Sequence, residues 1–250
     1  MGHWEDSRFR QRASASLLAA ISIVLLAPGL AQAAGKAQAS IIGGDVAAIA
    51  DFPSLAFIAA RENRGQSFVC TGTVIAPRLI LTAAHCVENL SAGGFTPAGG
   101  YAVATGVANP REAGAGDVSR VSSTHVFPEF DPGPTLGDAA ILVLSSPTAA
   151  PPISLAASSD GALYEGGAEV LLAGWGLTRA GAGSAPDSLH STSNVVLNPA
   201  SCKARTRSFY RPYSAAIQMC TTDPPDHANG GCFGDSGGPV IAHRADGSAV

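Results

Sequence analysis

A serine hydroxyl is a weak nucleophile until a base takes its proton and a third group orients that base. Ser236 lies in Gly234-Asp235-Ser236-Gly237-Gly238-Pro239, with an acid before it and two glycines after it. Glycine admits backbone conformations closed to other residues and lets another chain come close. Such a loop can expose a hydroxyl and aim its N–H groups at a substrate, although a Gly-Ser-Gly run on its own is more often a turn. His85 is the candidate base, in Thr82-Ala83-Ala84-His85-Cys86. Cys70 lies sixteen positions before Cys86. A bridge between them would fix the backbone beside His85 and contribute about 3 kcal/mol. Of the other histidines, His3 falls in the leader, and His125, His190, His227 and His243 have polar or mixed surroundings that suit surface or structural roles. Asp138 precedes the apolar run 139–144, where an unpaired carboxylate is costly to bury and an imidazole N–H is a natural partner. Taken alone, His85 fits a buried histidine at a strand end, and Asp138 fits a turn in Leu136-Gly137-Asp138.

The elements that must hold these residues read as short strands. Segments 54–60 and 68–75 are apolar and partly alternating, and the polar stretch 61–66 between them makes a hairpin. Further strands are expected at 79–82, 101–107, 119–126 and 139–144, with 91–100 a Gly/Ser/Pro-rich loop and 147–152 an internal linker. The second half repeats the style, with strands at 169–173, 191–197, 217–220 and 240–243, loops at 181–186 and 221–231, and a short helix opening at Cys202. Turn signals every 8–12 residues along such a chain indicate a barrel or sandwich.

Arg8, Arg10 and Arg12, an apolar run from Leu17 to Leu26, and Ala31-Gln32-Ala33 form the three parts of a secretory signal, read here as residues 1–33. The run is short for a membrane span, so no membrane contact is expected after signal cleavage. From residue 41 onward eleven basic residues face seventeen acidic ones, a net charge of −6 without a basic patch, which argues against nucleic acid. All five cysteines lie beyond the leader, and in an oxidising compartment they should pair, yet five is odd. Neither a zinc-spaced ligand cluster nor a phosphate loop occurs, so no catalytic metal or cofactor is expected, while a calcium loop stays open. Asn89-Leu90-Ser91 fits an N-glycosylation sequon, relevant only in a eukaryotic secretory pathway.

His85, Asp138 and Ser236 follow the chain order of chymotrypsin-type enzymes. Thr82-Ala83-Ala84-His85-Cys86, Gly137-Asp138-Ala139-Ala140-Ile141-Leu142 and the segment 234–239 resemble the histidine, aspartate and serine motifs of the trypsin/chymotrypsin family of serine endopeptidases. Ile41-Ile42-Gly43-Gly44 resembles the family's mature N-terminus, and Gly174-Trp175-Gly176 is a further landmark. The resemblance covers about residues 41–250 and implies an all-β fold of two antiparallel six-stranded β-barrels, the first over about 41–150 and the second over about 151–250.

The same resemblance implies the roles. Ser236 attacks the scissile carbonyl, His85 is the general base and acid, and Asp138 holds the imidazole. The N–H groups of Gly234 and Ser236 form the oxyanion hole. After removal of a short activation peptide, 34–40, the freed amino group of Ile41 pairs with Asp235. Ser40 before the cut is not basic, which points away from a trypsin-like activator. Gly230, Gly231 and Phe233 belong to the substrate pocket. Gly230 brings no charge to its base, so a preference for basic side chains is not supported. Expected partners are polypeptide substrates, protein protease inhibitors and an activating protease, in an extracellular setting.

Eleven residues follow Pro239. Family members continue with further strands and a C-terminal helix, a region that holds the usual partner of the cysteine at 232. The resemblance therefore implies a C-terminally truncated chain, an incomplete second barrel, bridges Cys70–Cys86 and Cys202–Cys220, and an unpaired Cys232. A non-catalytic or inactive binding homologue of the same fold is the alternative to a working peptidase.

Overall fold

Antiparallel pairing of short alternating strands builds the first half of the molecule. Strands β2 (Leu55–Arg61), β3 (Ser67–Ala76), β4 (Leu79–Thr82), β5 (Tyr101–Thr105), β6 (Val118–Val126) and β7 (Ala140–Leu144) pair in the order β2-β3-β4-β7-β6-β5, and β5 returns to β2 to close a barrel. Closure leaves no unpaired edge. The computed structural model describes residues 41–61, 67–89, 93–179, 186–208, 213–224 and 229–250. The leader, the activation segment, the turn at 62–66, most of the loop at 181–186, His227, and Leu90 and Ser91 of the sequon lie outside the described residues. Asn89 itself is buried, which does not suit a glycan acceptor. Among the described residues no helix is long and apolar enough to cross a membrane.

The barrel fills as a period-2 pattern requires. Along β7, Ala140, Leu142 and Leu144 point inward, and Ile58, Val74, Ile80 and Val103 meet them from the other strands. Threonines break the apolar pattern: Thr71, Thr73 and Thr82 are also buried. In the β4–β7 ladder Thr82 faces Ala140. That register sets the chain leaving β4 beside the chain entering β7, at one end of the barrel.

The second half is a five-stranded sheet in the order β1-β9-β8-β11, formed by β1 (Asp45–Val46), β8 (Glu169–Gly174), β9 (His190–Val196) and β11 (Val240–Ile241), with β10 (Thr221–Thr222) also on β9. Strands β1 and β10 share one side of β9, opposite His190–Ser191 and Val195–Val196 respectively. The second barrel, expected to be incomplete, is an open sheet among the described residues. Two local expectations are corrected. Segment 217–220 is not a strand, because the N–H groups of Ile217 and Gln218 turn back onto the Ser214 carbonyl and the Gln218 side chain accepts from the Ser214 N–H. The helix α1 spans Pro199–Arg205 rather than opening at Cys202, because the Asn198 side chain caps the Ser201 N–H and Pro199 occupies the first turn.

Trp175 bolts the two halves together. It is fully buried, its Nε1–H donates to the Ala108 carbonyl at 2.8 Å, and its ring meets Phe57 of β2 edge-on at 5.6 Å. Phe52, Leu55, Leu189 and Ile241 complete that cluster. Both expected disulfides form, Cys70–Cys86 with Cα atoms 6.2 Å apart and Cys202–Cys220 with Cα atoms 5.7 Å apart, and Cys232 is free.

Candidate active site

Three residues past Thr82 the chain reaches His85, and two residues before Ala140 it leaves Asp138, so the β4–β7 register delivers both to the same end of the barrel. A single 3-10 turn, Ala84–Cys86, carries His85, and the disulfide ties it back to β3. Asp138 receives the His85 main-chain N–H on Oδ1 at 2.8 Å and lies 2.7 Å from Nδ1 through Oδ2. A carboxylate only accepts, so the imidazole must carry its proton on Nδ1 and present Nε2 as a lone pair. Burial pushes the Asp138 carboxyl up, but the hydrogen bonds from the His85 ring, its N–H and the Ala84 N–H outweigh this and hold it below the usual carboxylate value. An imidazole oriented by an ionised carboxylate can accept a proton from a hydroxyl. The side chains remain open to solvent on one side, 41% exposed for His85 and 23% for Asp138.

The serine loop docks onto the same barrel end. The Ser236 carbonyl accepts the Thr71 N–H of β3 at 2.9 Å. Gly237, at φ +79°, sits where any side chain would collide with the Thr82 hydroxyl and the Thr71 carbonyl. The Cys86 sulphur touches both partners, 3.5 Å from the Ser236 carbonyl oxygen and 3.9 Å from His85 Nε2. Cys70, His85 and Cys86 bring three metal-type donors within 4.8 Å of one another. Both sulphurs are spent in the disulfide, so this cluster offers a metal only one imidazole.

Two peptide planes of the loop are pinned from behind. The Phe233 carbonyl accepts the Leu177 N–H at 2.8 Å, and the Asp235 carbonyl accepts the Gly238 N–H at 3.0 Å. In a trans peptide the N–H points opposite to the carbonyl. The N–H groups of Gly234 and Ser236 are therefore turned away from those anchors, and main-chain N–H groups held this way can stabilise developing negative charge. Gly234 has φ +106° and packs against Gly176, where a Cβ would come within 2.8 Å of the Gly176 Cα.

Asp235 points into the molecule. Its carboxylate accepts the Gly176 N–H at 2.7 Å and the Cys232 N–H at 2.8 Å. A side chain on Gly174 or Gly176 would run into it, which gives the Gly-Trp-Gly landmark a physical reason: two glycines form a slot for an acid. Burial raises the Asp235 pKa, and the two N–H groups only partly offset it. The Ile41 segment pairs with the chain two residues before Cys232. Ile41 is fully buried, the Ile42 carbonyl accepts the Gly230 N–H at 3.0 Å, and Gly43 fits against Asn229 where a side chain would clash.

A family model, Trypsin, matches residues 41–248. The chain belongs to the trypsin family of serine proteases. It is similar to a trypsin of Saccharopolyspora erythraea, 30% identical over 204 residues that make up 82% of each chain. It is similar also to serine protease SP24D of Anopheles gambiae, 33% identical over 210 residues, 82% of this chain and 69% of that one. A trypsin-like protease of Streptomyces glaucescens is 30% identical over 235 residues, 92% of this chain and 76% of that one. The solved structure titled "Structure of GrC" shares the fold with a TM-score of 0.67 at 23% identity, covering 83% of this chain and 91% of that one.

The residues that the trypsin-family resemblance places in the substrate pocket lie beside the serine loop. At Gly230 a Cβ would meet no heavy atom within 4 Å, Gly231 is exposed, and Phe233 is 81% exposed. Thr71 and Leu177 do not stand out in the sequence as parts of the site, and Gly176 stands out there only as part of the Gly-Trp-Gly landmark. The N–H groups of Gly176 and Leu177 leave no sequence signal of their role. Thr71 does leave one, a polar residue on a barrel strand among apolar neighbours, where a buried hydroxyl must find a partner.

Proposed function

We propose that the chain is a secreted serine endopeptidase that hydrolyses peptide bonds through an acyl-enzyme on Ser236. The short His85–Asp138 contact beside the docked serine loop carries this reading. His85 Nε2 removes the Ser236 proton as Oγ attacks the scissile carbonyl, and the same proton goes to the leaving amine when the tetrahedral intermediate collapses. Water then enters and attacks the acyl carbonyl as His85 takes its proton, and collapse of the second intermediate breaks the bond to Ser236 Oγ, which takes that proton back from His85 as the acid product leaves. The N–H groups of Gly234 and Ser236 receive the oxyanion, a contribution of about 3–4 kcal/mol per donor at such sites. Asp138 keeps the imidazole in the productive tautomer and stabilises its charged form.

The leader at 1–33 directs export, and two disulfides suit an oxidising compartment. Cleavage after Ser40 frees the Ile41 amino group to pair with Asp235 and seat the oxyanion loop. Ile41 holds φ +56°, a left-handed conformation that a β-branched residue disfavours, and cutting the bond before it lifts that constraint. Open space at Gly230 with no charge supports apolar or small P1 side chains over Arg or Lys. The open second sheet favours one rival, an inactive binding homologue of the same fold. Assaying the Ile41-started protein on chromogenic peptides with apolar, small and basic P1 residues separates the two. Turnover abolished by Ser236→Ala supports the peptidase, and no turnover on any of them supports the rival.

A further inference from the structure

Thr71 lies in β3 with no exposure and uses every polar atom it has. Its N–H donates to the Ser236 carbonyl, its hydroxyl donates to the Gly234 carbonyl, and its own carbonyl accepts the Thr82 hydroxyl, each at 2.9 Å. Four successive carbonyls of the serine loop, from Phe233 to Ser236, are each held by a donor. Leu177 holds the first, next to the Gly-Trp-Gly slot, and Gly238 of the loop itself holds the third. Thr71 supplies the other two, and it belongs to the closed barrel that carries His85. Its chain neighbour Cys70 is bonded to Cys86, the residue after His85. One strand position thus refers the loop and the histidine to a common frame.

We propose that Thr71 is a positioning residue for the peptidase reaction, its hydroxyl setting the Gly234–Ser236 backbone relative to His85. This rests on Ser236 being the nucleophile. The side chain has been given room to act: a Cβ on Gly238 would press within 3.0 Å of the Thr71 methyl, and one on Gly174 within 3.0 Å of its hydroxyl. Without the hydroxyl the Gly234 carbonyl loses its donor, its peptide is held only by the Asp235 N–H on the Cys232 carbonyl at 3.0 Å, and the flanking N–H groups can shift from the geometry that serves the transition state. Such preorganisation acts on the reacting state more than on bound substrate, so it shows in kcat before KM.

The test compares Thr71→Val, close in shape but without the hydroxyl, with Thr71→Ser, which restores it. The expected result is a kcat about five- to tenfold lower for Thr71→Val. KM should stay within about twofold, the rate of covalent modification by an organophosphonate should fall in proportion to kcat, and Thr71→Ser should recover most of both. The acidic limb of the pH–rate profile should not move, because the His85–Asp138 pair is untouched. Equal kcat for Thr71→Val and wild type, or a Thr71→Ser variant as slow as Thr71→Val, overturns the role of the hydroxyl alone. A folded wild type that neither turns over nor is modified overturns the peptidase reading, and the role of Thr71 falls with it.

Discussion

Thr82 stands opposite Ala140 across β4 and β7, and this one pairing brings His85 within 2.7 Å of Asp138. The contact is therefore a property of barrel register rather than of a flexible loop. Replacing Asp138 by Asn keeps the shape but removes the charge that selects the Nδ1–H tautomer. The expected outcome is a correctly folded protein whose kcat is about 10⁴-fold lower. Near-UV circular dichroism and steady-state kinetics on the same sample check both halves of that statement. The wild-type carboxyl titrates below its unfolded value, so its contribution to stability is present above that unfolded value and is lost as pH falls through the lower folded one.

Asp235 should reverse its sign on activation. With residues before Ile41 still attached, its carboxylate is buried on two N–H groups and its pKa is raised by burial. A raised acid titrates so that stability is greatest below the unfolded pKa and falls as pH rises through the folded one. Asp235→Asn in that form should leave stability at pH 7 unchanged or improved. On the proposed pairing with the Ile41 amino group, the same change in the Ile41-started protein strands a buried ammonium and should cost roughly 3 kcal/mol together with most of the activity. Urea midpoints of both forms, with and without the substitution, give the comparison.

Gly176 has to remain without a side chain. A methyl there meets the Asp235 carboxylate, so Gly176→Ala should destabilise by roughly 1–3 kcal/mol and weaken catalysis by displacing the acid. Pairing it with Asp235→Ala relieves the collision. Thermal unfolding of the single and double variants should show the double variant more stable than the two separate losses would sum to.

Asp160 and Arg244 form a two-pronged pair, with Nε and Nη2 each 2.8 Å from a carboxylate oxygen. The pair joins the 3-10 segment Ser158–Tyr164 to the turn that follows β11. Hydrogen bonds from Arg244 hold the Asp160 pKa down to about 2. Its stabilising effect should be complete above the unfolded carboxyl pKa of about 3.9 and fade as pH falls toward 2. Melting temperatures of wild type and Asp160→Asn should differ at pH 6 and converge on acidification.

Much of this was legible in the residues. Strand β4 matches its expected bounds of 79–82, and β7 differs by one residue, because apolar alternation with flanking turn residues marks a buried strand clearly. The two-residue strand β1 was not legible, since it exists only by pairing with His190 and Ser191 of β9. Segment 217–220 has the composition of a strand, but side-chain and main-chain bonds to Ser214 turn it instead. In the site, His85, Asp138 and Ser236 stand out by type and neighbours, whereas the N–H groups of Leu177 and Gly176 act through backbone direction that any residue shares. The role of Thr71 is hidden for a related reason: its hydroxyl bonds across 163 positions of chain, to a partner that tertiary packing selects.

The central claim is that Ser236 is a nucleophile activated by His85. Treating folded, Ile41-started protein with an organophosphonate and locating the adduct by mass spectrometry tests it most directly. The expected result is one adduct per chain, on Ser236, absent in Ser236→Ala and strongly slowed in His85→Ala. Folded protein that takes up no adduct at Ser236, or labels equally fast without His85, would contradict it.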